Sequence, residues 1–213
     1  MKRLRIDLVE LADAFEHGSW ELSYYLDSES GEILMVGQET RHMLDHILET
    51  YGDETRQVDI DAALQHRDLV AWMKDDLKTA QRIDSGYGSR YLQVPESDSL
   101  EGYADMKAFI ESLDDERKFA DRLWSAIQGK GAFRRFKDTL AAQPAVEARW
   151  FAFKDEQVRR RIATWLESIG VEAEEGKGGE ETQAGDASQA KPATEVAPEW
   201  LKPSVPLRGR NTR

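Results

Sequence analysis

Four basic side chains, Lys130, Arg134, Arg135 and Lys137, sit in the glycine-flanked segment GKGAFRRFKDTL. Basic residues beside flexible glycines could grip phosphate. A phosphate-cradling loop needs a glycine-rich run ending in Gly-Lys-Ser/Thr after a strand, so that backbone amides face the phosphates. Here Gly131 follows Lys130, and the residues before it read as helix. A plain structural account covers more. Gly129 stops one helix, Gly131 bends the chain, and Ala132 to Leu140 form the next helix, with Phe133, Phe136 and Leu140 inward and Arg134, Arg135 and Lys137 toward water. Helix, glycine turn and basic helix also trace the outline of a helix-turn-helix, in which Arg134 and Arg135 would read bases.

His42 and His46 stand four apart on an expected helix, the spacing of a two-histidine metal pair. Met-Leu-Asp lies between them, and neither His17 nor His66 supplies an evident third ligand, so no metal and no cofactor are expected. The acidic doublets Asp75-Asp76 and Asp114-Asp115 would need burial and a partner for acid–base work, and their neighbours place them on solvated helix positions and caps. Trp150, Phe151 and Phe153 are grouped tightly; core packing is the default and a ligand-stacking platform the alternative. There is no cysteine, which excludes disulfide and thiolate chemistry, and no nucleophile elbow or dinucleotide fingerprint.

Charge is spread unevenly. The 213-residue chain carries a net charge of −12. Residues 129–161 hold nine basic and four acidic residues, whereas residues 1–128 hold 14 and 28. Arg159, Arg160 and Arg161 join the four basic residues above as a candidate binding surface. The acidic total disfavours wholesale nucleic-acid binding without excluding a local basic patch. The opening MKRLRIDLVELADAFE has no continuous apolar stretch of the secretory kind, and no run approaches the roughly 20 apolar residues of a membrane span. The expectation is a soluble cytoplasmic protein without membrane contact.

The elements that must position these residues follow from periodicity. Asp7 caps a helix to Phe15; Trp20 to Asp27 and Glu32 to Gly37 form a hairpin around Ser28-Glu29-Ser30-Gly31. A helix from Thr40 to Tyr51 buries Met43, Leu44, Ile47 and Leu48. A longer one, Asp61 to Ile83, carries the stripe Leu69, Trp72, Met73 and Leu77, and Arg90 to Val94 supply a third strand. Then come a helix opened by Asp98, one capped by Asp114, the Ala132–Leu140 helix, and a last from Pro144 to Gly170 with Val158, Ile162, Trp165, Leu166 and Ile169 inward. The class is α+β: a small antiparallel sheet of hairpin plus one strand, packed with several helices, and a helical C-terminal half. One domain spans 1–170. Residues 171–213 are rich in Glu, Gly, Ala, Thr, Gln and Pro and read as a disordered tail, in which Trp200 and Leu201 are a candidate docking motif.

The strings YYLDSESGEI, RYLQVPESDSLEGYADMKAFIESLDDE, GKGAFRRFKDTL and RWFAFKDEQVRRRIATWLESIG together resemble a bacterial family catalogued as an uncharacterised protein family. Its marks are a G-x-G-A-F-R-R-F-K-D segment and a following W-[FY]-x-F element, and the likeness covers residues 5 to 170. The resemblance implies a single cytoplasmic domain and carries no activity and no catalytic residue. The favoured reading is a non-enzymatic regulatory or protein-interaction module with a protein partner. The rivals are a nucleic-acid-associated protein using the basic 129–161 surface, and an enzyme with an unrecognised polar site.

Overall fold

Asp7 ends the first strand and starts the first helix. Its carboxylate accepts from the Val9 and Glu10 amides at 2.9 and 3.1 Å, satisfying donors that a helix leaves open. The computed structural model describes residues 1–51, 58–65, 67–96 and 98–175, all within a unit spanning Met1–Gly176. The second unit, Lys177–Arg213, lies outside the described residues.

After β1 (Lys2–Ile6) and α1 (Leu8–His17), β2 (Leu22–Asp27) and β3 (Ile33–Gly37) form the expected hairpin. Gly31 takes φ +83 in its turn, and a Cβ there would strike the Arg5 carbonyl, so both conformation and the passage of β1 demand glycine. β4 (Tyr91–Gln93) pairs antiparallel with β2, giving the order β3-β2-β4. Tyr25 faces Leu34, and Leu26 faces Ile33. Strand alternation sends Tyr25 and Leu34 into one core and Leu26 and Ile33 into another.

The Tyr25 core is closed by α2 (Gln38–Tyr51), α3 (Ile60–Gln65) and α4 (Ala71–Ser85). Met43, Leu44, Ile47 and Leu48 are buried as their spacing requires. The single helix expected from Asp61 to Ile83 is two helices. Asp59 accepts from the Ala62 amide at 3.0 Å and begins α3; Leu69 packs on the core within the break, and Val70 is extended (ψ 153) before α4 starts. With the phase reset, Leu77, Ala80 and Ile83 face inward and Trp72 is 45% exposed.

A second core gathers α5 (Ser99–Glu111), a 3-10 turn (Asp114–Glu116), α6 (Arg117–Ala126), α7 (Ala132–Leu140) and the start of α8 (Pro144–Ser168). Asp98 caps α5 through the Leu100 amide. Asp114 does not cap α6; it opens the 3-10 turn, and α6 follows Glu116 without a side-chain cap. Phe136 and Phe109 meet Trp150 edge-on, with ring centroids 4.8 and 5.2 Å away, so this tryptophan is core. Phe153 packs beside it, while Phe151 points out.

The third core joins β1, α1, the second half of α8 and β5 (Val171–Glu175). Residues from 171 were expected to begin the tail; the first five instead form a strand parallel to β1. Val171 and Ala173 pack inward with Leu4 and Ile6, while Arg3 Nε meets Glu172 at 3.2 Å on the outer side. Among the described residues, no helix is long and apolar enough to cross a membrane.

Candidate functional site

Gly131 adopts φ +82 at the start of α7, and the turn it allows brings Arg135 back over the end of α6. The Arg135 guanidinium donates to the Ala126 carbonyl at 2.9 Å, to that of Gln128 at 2.5 Å, and to that of Lys130. These acceptors lie at the helix end and in the glycine turn, where helical partners run out. Arg135 is therefore a clamp on its own loop. Its neighbour Arg134 is 89% exposed at the side chain and lies 3.8 Å from Asp138. The inward stripe of α7 is Ala132, Phe136 and Leu140. Phe133, expected inside, sits in the first turn and is 45% exposed; a Cβ on Gly102 of α5 would come within 3.1 Å of its ring.

The basic residues of α8 are mostly ties to acids elsewhere. Arg149 meets Glu116 at 3.2 Å, Lys154 meets Glu16 of α1 at 2.8 Å, and Arg161 donates to both carboxylate oxygens of Asp105 on α5 at 2.7 Å, with Glu101 at 3.5 Å. Arg160 pairs with Glu156 one turn back at 3.0 Å. Of the seven candidate surface residues, the side chains of Lys130, Lys137 and Arg159 have no ion-pair or hydrogen-bond partner among the described residues. Nor do the seven border one hollow: Arg159 lines a groove, Arg160 and Arg161 line a separate cleft, and the α7 set lines neither. Arg159 stands nine residues beyond Trp150, the contact point of α7, or roughly 13 Å along the helix.

Two buried acids went unmarked in the sequence, Asp27 and Asp105. Asp27 accepts from the Glu29 amide at 2.8 Å and from Arg90 Nη2 at 2.7 Å. Burial alone would raise its pKa. The Arg90 hydrogen bonds, the Glu29 and Ser30 amides and the Arg90 charge outweigh that and hold the carboxyl below its ordinary value. Its stabilising contribution is therefore present above the usual carboxylate range and is lost as pH falls through the lowered value. The pair fastens the hairpin turn to the residue before β4. The signal for Asp27 was its place at the head of a Ser-Glu-Ser-Gly turn, and for Asp105 its place beside Met106 on the inward face of α5. His42 and His46 lie exposed on α2, and among the described residues no group of three His, Cys, Asp or Glu could hold a metal ion. His66, Trp200 and Leu201 lie outside the described residues.

Two hollows flank the α1–α8 contact. A cleft of about 440 Å³ lies among α1, α5 and α8, bordered by Phe15, Trp165 and the Arg161 and Lys154 ion pairs, so its cations already face carboxylates. The groove on the other side measures about 810 Å³. Val158, Ile162 and Leu166 of α8 form its floor; Leu8, Val9 and Ala12 of α1 form one wall, and Val171 and Ala173 of β5 border it too. Val9 is 75% exposed. Around α1 acids crowd closely: Glu10 has its pKa raised by burial first, then by Asp7, Glu32 and Asp13.

Residues 72–175 match an uncharacterised protein family, UPF0158. The match begins in α4 and ends with the last residue of β5, so it contains the glycine turn, α7, all of α8 and the final strand. The chain is also similar to a UPF0158 protein of Pseudomonas aeruginosa, 22% identical over 172 residues, which are 81% of this chain and 88% of that one. No solved structure matches.

Proposed function

We propose that this UPF0158-like chain is a non-enzymatic protein-interaction module that docks a partner segment in the groove between α1 and α8. The observation that carries the reading is exposed apolar surface that lines a groove: Leu8 and Val9 are 40% and 75% exposed and wall a groove with an aliphatic floor, whereas Trp20, Leu100 and Phe151 are exposed without lining either hollow. The cleft on the other side presents charges that are already paired. The rival reading, nucleic-acid contact through the 129–161 surface, rests most on Lys130, Lys137 and Arg159, since Arg135 and Arg161 are engaged within the fold and Arg134 and Arg160 pair with acids one turn away. Low-salt gel-shift binding lost on reversing those three charges would favour it.

A photocrosslinking residue placed at Val9 in the full chain, and separately at Leu100, which is 74% exposed on α5, tests the docking reading in cells. A discrete crosslinked polypeptide from position 9 and not from position 100 is expected. Equal labelling from both positions, or none from position 9, would sink it.

A further inference from the structure

Resting on that reading of the groove, we infer that its occupant is an amphipathic helix of about three turns with basic flanks. The floor residues Val158, Ile162 and Leu166 recur every fourth position on α8, and Leu8 and Ala12 do the same on α1. Two helices with facing apolar rows make a trough that a third helix can fill, its backbone bonds already satisfied within itself. The lining runs along α8 from Asp155 to Glu167, about 18 Å at helical rise, which sets the length of the guest.

The rim sets the charge. Glu16 and Glu172 lie on it and are matched by Lys154 and Arg3. Asp13, Asp155 and Glu167 have no ion-pair partner among the described residues, and the one basic residue lining the groove is Arg159. Three unmatched acids against Arg159 and the amino group of Met1, which also lines the groove, favour a cationic guest, both in steering the encounter and in setting its orientation.

The test uses fluorescein-labelled 14-residue peptides titrated with the full chain and followed by anisotropy. One peptide carries leucines at helical spacing with lysine flanks, a second has glutamates in place of the lysines, and a third has two central prolines. The lysine peptide should bind at least about tenfold more tightly than the glutamate peptide, with the gap narrowing at high salt because exposed charges are screened. Asp155→Lys with Glu167→Lys should cut that preference below about threefold. Val9→Asp should abolish binding of every peptide. It adds an acid, so simple charge attraction would instead strengthen binding, and an acid in the first helical turn is compatible with folding. Equal or tighter binding of the glutamate peptide, or undiminished binding of the proline peptide, would overturn the basic-helix inference while leaving the groove standing if Val9→Asp still abolishes it. Binding of no peptide, or binding indifferent to both Val9→Asp and Ala163→Glu, would overturn inference and groove together.

Discussion

The Gly129–Leu140 segment and the α1–α8 groove are opposites. The first is the most distinctive string in the chain, and its distinctive residues serve a junction: Arg135 holds the carbonyls at the end of α6, Phe136 is 1% exposed, and Gly131 supplies the turn. The second is written in ordinary helix text and leaves aliphatic side chains in water. A conspicuous motif can record the demands of a tight junction, because several residue types must coincide for it to close. An open apolar wall needs no rare residue and leaves no short signature.

The largest effect that would break this contrast is on Phe136. Phe136→Ala removes a ring packed against Phe109 and Trp150 and should lower stability by about 3–5 kcal/mol. A chemical denaturation midpoint that scarcely moves would mean the segment is not a structural junction. Arg135→Ala comes next, with an expected loss of about 1–3 kcal/mol from charge-assisted bonds to the carbonyls at the end of α6 and in the glycine turn. Arg135→Lys should recover only part of it, because one ammonium cannot span acceptors that the guanidinium fork reaches together. Full recovery by lysine would show that charge alone matters there. Smallest of all, Val9→Asp should change stability by no more than about 0.5 kcal/mol, as exposed positions do. A marked drop in melting temperature would make the groove wall part of the core and erase the contrast.

Much of the fold could be read from local pattern. The hairpin followed from two β-prone runs around Gly31, and α7 and α8 from glycine, proline and apolar spacing. The parallel pair β1–β5 could not be read this way. KRLRI and VEAEE are short and charged, and each becomes a strand only beside the other, where Arg3 lies opposite Glu172 and Arg5 opposite Glu174. The break between α3 and α4 has neither glycine nor proline among its described residues; within it the partly buried Leu69 packs on the core. Adjacent arginines of one type, 134 and 135, have opposite fates because only one leans back over the preceding turn. The same holds for charge. Within the basic excess after residue 128, a candidate binding surface, Lys154, Arg149 and Arg161 answer Glu16, Glu116, Glu101 and Asp105 of the acidic part. The groove was illegible because Leu8 and Ala12 carry the same spacing as residues that become core.

The parallel pair also fixes an order of events during synthesis. Arg3 and Glu172 are 169 residues apart. At a translation rate of about 5–20 residues per second, β5 is made roughly 10–30 s after β1. Throughout that interval the KRLRI segment lacks its partner strand, and Leu4 and Ile6 lack the Val171 and Ala173 they pack with. β1 is made long before the strand that completes it, and a translation pause placed before residue 171 would lengthen the time in which a chaperone, or another nascent chain, can reach it.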